Sequence, residues 1–220
     1  MSRSRVPRNT LNRDLVLRAA LEIADADGLR GLTIRALATR LGATPMAVYG
    51  HVANKDEILD RIVDAVFAEM ALPHVDGDWR EQVFQRCVAA RETLRRHPWA
   101  LGLIDSRAHP GPETLAHHNT MIATLRAGGF SWALMARAMV MLDSYVYGFV
   151  LQESALPVAG PEDFAPVAEE ILASIPAGVY PDLAAFTRAH VQAPGYDFAA
   201  EFEPGLELIL DTLAARRVEG

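Results

Sequence analysis

The apolar positions of this chain recur at three- and four-residue intervals nearly from end to end, the spacing of helices that turn one face inward. No stretch alternates strictly between hairpin turns, so no strand is predicted and the fold class is all-α. A first helix is predicted over residues 12–27, with Leu17, Ala20, Leu21 and Ala24 as its stripe and Gly28 as its C-terminal cap. Thr33 caps a second, 34–41, which ends at Gly42. Thr44-Pro45 opens a third, 45–51: a hydroxyl cap, then a proline at the first helical position, where no N–H is needed. Asn54 caps a fourth, with Glu57 as the partner of a capping box and Ile58, Leu59, Ile62, Val63, Val66, Phe67 and Met70 along it.

Residues 73–77 (Pro-His-Val-Asp-Gly) read as a linker. Beyond it, Asp78 caps a fifth helix, again with a capping-box glutamate, Glu81, and the helix runs to about Arg96. Helical stretches follow at 99–106 and 112–127; Gly128-Gly129 stops the chain, and 132–152 is long and nearly all apolar. Six prolines break 155–195 into short pieces before a last helix over 198–217. The expected division is a head, residues 1–60 with a basic arm at 1–11, and a helical body, residues 61–220.

Half of the 220 residues are apolar and 22% are charged, a globular composition with enough chain for a real core. The single cysteine excludes an intrachain disulfide framework. No run approaches 18 uninterrupted apolar residues and no apolar segment follows the basic N-terminus, so a cytoplasmic protein with no membrane partner is expected.

The net charge of −7 argues at first against a nucleic-acid partner, but it is unevenly distributed. Residues 1–61 hold ten bases and seven acids, a formal +3; residues 62–220 hold eleven and twenty-one, a formal −10. Within the basic head, 33–51 has the layout of a helix-turn-helix, whose second helix would lie in a major groove. Met46, Tyr49 and His51 offer apolar, hydroxyl and imidazole contacts to bases, while Thr33, Thr44, Tyr49 and Lys55 suit phosphates. Arg35 is the candidate for guanine readout, because a guanidinium can bond O6 and N7 together. Two short helices on a glycine turn also occur in helical proteins with no DNA role. The spacing leaves both readings open; the basic head favours DNA.

Residues 11–60 resemble the N-terminal domain of the tetracycline-repressor (TetR) family of bacterial transcription regulators. The resemblance is carried by Ala19-Ala20-Leu21, Gly28, Gly31 to Ala38, Leu41-Gly42-Ala43 and Val48 to Leu59. Gly128-Gly129-Phe130-Ser131, Gly148-Phe149-Val150-Leu151 and Phe202 to Leu210 resemble landmarks of its C-terminal domain more loosely. The resemblance implies a ligand-responsive repressor, not an enzyme, that binds a palindromic double-stranded DNA operator as a homodimer and is released by an unidentified small molecule. Its usual DNA-contacting positions fall on Thr33, Arg35, Thr44, Pro45, Met46, Tyr49, His51 and Lys55. The dimer would form through helices at about 132–152 and 198–217. A pocket is expected among Trp99, Leu103, Met121, Leu125, Met135, Met139 and Phe149, each of which also suits plain core. The family's tetracycline–magnesium positions carry Asp105 and Gln152 here, with Glu153 and His109 adjacent or near, so a different ligand or none is expected.

The remaining constellations are weaker. Glu113 and His117 stand four apart, as a metal pair would, but with His109, His118 and Asn119 they suit an exposed polar face better; no metal or cofactor is expected. Cys87 shares a stripe with Phe84 and Val88 and reads as inert core. No serine lies in a nucleophile elbow, so no catalytic residue is assigned. The alternative reading is a helical enzyme or small-molecule carrier whose head only resembles a DNA-binding domain.

Overall fold

One helix belongs to both halves of the molecule. In the computed structural model, which describes residues 11–158, 160–176 and 178–218, α4 (Lys55–Glu69) buries Ile58 and Ile62 in one hydrophobic cluster and Val63, Val66 and Phe67 in another. The first cluster is the head, closed by α1 (Arg13–Gly31), α2 (Ile34–Arg40) and α3 (Pro45–Tyr49). The second is the body, built from α5 (Trp79–Arg96), α6 (Pro112–Ala127), α7 (Trp132–Ala155) and α10 (Phe202–Val218). Between α7 and α10 lie two short helices, α8 (Phe164–Ser174) and α9 (Pro181–Phe186). No strand occurs among the described residues, so the all-α class holds.

The caps predicted at Thr33, Thr44 and Asn54 form, and Asn12 and Ser131 act in the same way on α1 and α7. Asn12, Thr33, Thr44, Asn54 and Ser131 each accept a hydrogen bond from the backbone N–H three residues on. Gly28 and Gly42 take φ of 67° and 61°, the left-handed region that favours glycine. At Gly28 this breaks the helical path, yet the chain resumes helix to Gly31, later than the spacing predicts. α3 stops at Tyr49, two residues short of its predicted end, and 99–106 forms two 3-10 turns, Pro98–Gly102 and Ile104–Ser106.

Neither capping box closes in full. Glu57 accepts from Ala53 N–H at 2.6 Å, one residue before the cap. Glu81 accepts instead from Gln85 at 2.8 Å, while Asp78 accepts from Arg80 N–H at 3.0 Å. In each case another donor takes the place of the expected one.

Polar contacts fix the head to the body around α4. Asp64 accepts from both the backbone N–H (2.8 Å) and the hydroxyl (2.9 Å) of Thr114, capping α6 from outside its own chain segment. Asp60 pairs with Arg107 at 2.5 Å. His97 bridges Asp25 of α1 (2.7 Å) and Glu69 at the end of α4 (3.2 Å), and Trp99 Nε1 donates to the same Asp25 at 2.7 Å.

α7 is long and apolar enough to cross a bilayer by length and composition alone. Its packing is that of a core helix on one side only. Met135, Ala138, Leu142, Val146, Phe149 and Val150 are buried against the body, whereas Trp132, Val140, Met141 and Leu151 face outward, as does Leu208 of α10.

Candidate nucleic-acid interface and body site

Val48 and Val52 turn into the head core with Leu37 and Ala38, which leaves the opposite side of α3 no direction but solvent. Thr33, Arg35, Thr44, Pro45, Met46, Tyr49 and Lys55 are all exposed, and His51 is half-buried. Met46, in the first turn of α3, is 80% exposed, and Tyr49, one turn on, is 50% exposed. Thr33 and Thr44 spend one lone pair each on capping α2 and α3, at 3.1 and 3.2 Å. Each hydroxyl retains its hydrogen for donation to a phosphate oxygen.

The cations of the head fall into two groups. Arg13 and Arg61 are held by Glu57, and Arg40 by Glu22. The Ala53 N–H, together with those two arginines, holds the Glu57 carboxyl below its ordinary value. Arg35 has no acidic partner among the described residues, and Lys55 Nζ reaches only the Leu29 carbonyl, at 3.5 Å. The uncommitted charge thus includes two of the positions expected to meet DNA. Residues 11–61 hold seven bases and seven acids, so the +3 of the head comes from Arg3, Arg5 and Arg8. That basic arm lies outside the described residues, apart from Leu11.

The seven residues expected to line a pocket do not converge on one point. Met121, Leu125, Met135 and Phe149 are buried in the body core, with Leu103 and Met139 half-buried against it. Met135 and Phe149 stand fourteen residues apart on α7, about 21 Å of helix, too far for one small ligand. Phe149 belongs to an aromatic group at the far end, stacked on Phe198 at 4.7 Å and edge-on to Phe202 at 5.0 Å. Trp99 packs against both clusters, at the seam between head and body.

Sequence reasoning missed the most polar part of that core. Arg86 of α5 is buried, and its Nη1 lies 2.8 Å from Asp143 of α7. Burial opposes its charge, but the Asp143 carboxylate more than offsets this and holds the guanidinium protonated. Tyr147, one turn beyond Asp143, has its hydroxyl pKa pushed up by burial and by that carboxylate. His117 of α6 is buried too, not on an exposed polar face as expected, and its ring meets Phe67 of α4 edge-on at 5.4 Å. Burial, then the Arg86 charge, pushes its pKa down to about 3, so the imidazole is neutral. A signal was present: Arg86 falls on the apolar stripe of Val83, Cys87, Ala90 and Leu94, and Asp143 ends the apolar run 138–142.

The other expected chemistry is dispersed. Glu113 and His109 are exposed whereas His117 is buried, and no group of three metal-ligating side chains occurs among the described residues. Asp105 and Gln152 are exposed, while Glu153 is held by Arg91 at 2.7 Å and Arg95 at 3.3 Å. Cys87 is fully buried, and desolvation raises its pKa, which leaves the thiol inert.

Both halves of the chain resemble known proteins. Residues 16–62 match the model of bacterial regulatory proteins of the tetR family, and residues 72–217 match the tetracyclin repressor-like C-terminal domain. The chain is 35% identical to an HTH-type transcriptional regulator of Saccharopolyspora erythraea, over 93% of this chain and 85% of that one. It is 36% identical to the HTH-type transcriptional repressor DrrR1 of Streptomyces coeruleorubidus, over 96% and 80%. Among solved structures, Streptomyces coelicolor ActR in complex with actinorhodin superposes with a TM-score of 0.79 at 31% identity, covering 94% of this chain and 97% of that one.

Proposed function

The chain belongs to the TetR family of transcription regulators, and on that premise we propose that it is a homodimeric repressor whose α3 enters the major groove of a palindromic operator. It is a ligand-responsive DNA-binding regulator. The observation that carries the finer reading is the exposure of Met46 and Tyr49 on α3 together with that of Arg35 and Lys55, which have no acidic partner among the described residues. Thr33, Thr44, Lys55 and the N–H groups at the start of α2 and α4 bind phosphate; Arg35, Met46, Tyr49 and His51 meet base edges, with Pro45 against the backbone. This assigns DNA reading to residues 1–60 and regulation to residues 61–220, in a cytoplasmic protein.

One recognition helix covers too few base pairs for a specific site, so two copies are needed about one DNA turn (~34–36 Å) apart. The uncovered stripe of α7 and α10 supports the pairing: Val140 and Leu208 are 67% and 70% exposed in the single chain. A small molecule binding in the body shifts α4, which is shared by both cores, and changes the spacing of the two heads. Bound actinorhodin in ActR supports a body that takes up such molecules.

Selection of DNA from a random pool by the purified protein tests this reading, and an inverted repeat is the expected result. Arg35→Ala should cost about 1–3 kcal/mol on that site and relax specificity at one base pair. Lys55→Ala should weaken all DNA alike and lower the salt slope by about 1. Equal loss on operator and random DNA in the Arg35 variant would remove its readout role.

A further inference from the structure

We infer that Arg86 and His117 form the polar anchor of the effector site, and that the effector is a small planar aromatic molecule carrying a carboxylate or phenolic oxygen beside a hydroxyl. This rests on the reading of the body as a ligand-binding unit and names the chemistry it recognises.

Nε of Arg86 and both ring nitrogens of His117 are buried with no hydrogen-bond partner within the protein, while Nη1 of Arg86 is held by Asp143 at 2.8 Å. His117 is 1% exposed and Arg86 4%, so bulk water does not compensate them. Each such group costs about 1–3 kcal/mol, and a fold does not retain three of them in its centre for stability. They lie on two helices, α5 and α6, near enough for the Arg86 charge to act on His117, with Asp143 of α7 on the guanidinium and Phe67 of α4 packed on the imidazole.

The missing partners define the ligand. A guanidinium fork matches two adjacent oxygens in one plane, and Asp143 already balances part of its charge, so the pair of oxygens need carry no more than one negative charge. Neutral His117 offers one donor and one acceptor, which a hydroxyl next to those oxygens satisfies in both directions. The core around them is apolar: Phe67 packs its ring on His117, Met121 stands one turn along α6 from it, and Leu142 precedes Asp143. Met121 and Met139, one turn before Asp143, are unbranched thioethers that repack around a flat guest. Because Phe67 contacts His117 directly, a ligand that reorients the imidazole acts on α4, which carries the last turn of the head core.

Titration with 1-hydroxy-2-naphthoate against naphthalene, followed by calorimetry, tests the chemistry on the wild-type protein. Only the hydroxy acid should bind, and it should release the protein from its operator. His117→Leu, and separately Arg86→Met with Asp143→Leu, should each lower its affinity at least tenfold. Both should leave the thermal midpoint unchanged or higher and operator binding without the probe intact. Tyr147→Phe, a milder change, should lower affinity less. Equal binding of the two probes by the wild type, undiminished binding by both variants, or a lowered midpoint in both, would overturn the anchor. Failure of the regulator reading looks different: the wild-type protein would not hold DNA even without a probe.

Discussion

The head and the body of this protein solve opposite problems with the same kind of helix. In the head the buried cluster is wholly apolar: Val16, Ala20, Ile23, Leu37, Val48, Ile58 and Ile62, with the capping side chains at the surface. The polar groups expected to work there point outward. In the body, polar side chains lie inside: Arg86 and His117 are buried with Val83, Met121 and Leu142, and Asp143 pairs with Arg86. A reader of DNA must hold a fixed shape before it binds; a sensor of small molecules must keep unsatisfied groups that a guest can complete. The contrast is between a finished core and an unfinished one, joined through α4.

Truncating a core leucine is the largest expected effect and tests whether the two cores are separate. Leu37→Ala in the head and Leu142→Ala in the body should each cost about 2–5 kcal/mol, because both are fully buried. Since α4 supplies Ile62 to one cluster and Val63 to the other, calorimetry should show a single transition moved down in either variant. Two transitions, only one of them moved, would make the halves independent.

The pH dependence sharpens the comparison next. His117 has its folded pKa depressed from 6.5 to about 3. Its contribution is intact above 6.5, and is lost as pH falls toward 3, because the unfolded chain takes up a proton that the core refuses. Urea unfolding of His117→Leu should therefore show a shallower loss of stability across that window. No such slope should arise from the cluster of the head, where no titratable side chain is buried among the described residues 11–61.

Smaller still are the changes at the surface of the head. Glu57 has its carboxyl pKa lowered, so its stabilising bonds are present at neutral pH and are lost as pH falls through the depressed value. Glu57→Gln should cost a few tenths to about 1 kcal/mol at pH 7 and less in acid, given the exposure of its partners. Thr44→Ala should cost about 1 kcal/mol of stability through the lost cap of α3, read as a lower urea midpoint.

Much of this was legible in the sequence. Thr33, Thr44 and Asn54 announced their caps, because a cap depends on a side chain and an N–H three residues away. Gly42 announced the turn, and the resemblance across residues 11–60 placed the candidate DNA contacts on it. What failed were inferences that needed a third body. Glu57 found Ala53, and Asp78 found Arg80, because a side chain takes the nearest donor the local backbone presents. His117 looked like part of a polar face since its neighbours in sequence are polar; α4 and α5 cover it.

By itself the sequence determined the all-α class, the order of the helices and the basic head, since periodicity, caps and charge are properties of contiguous residues. Only the tertiary structure decided that α4 is shared by two cores, that Phe149 is remote from Met135, and that Arg86, His117 and Asp143 meet. These depend on distances between helices far apart in the chain, and helical spacing fixes which face is buried but not what it is buried against.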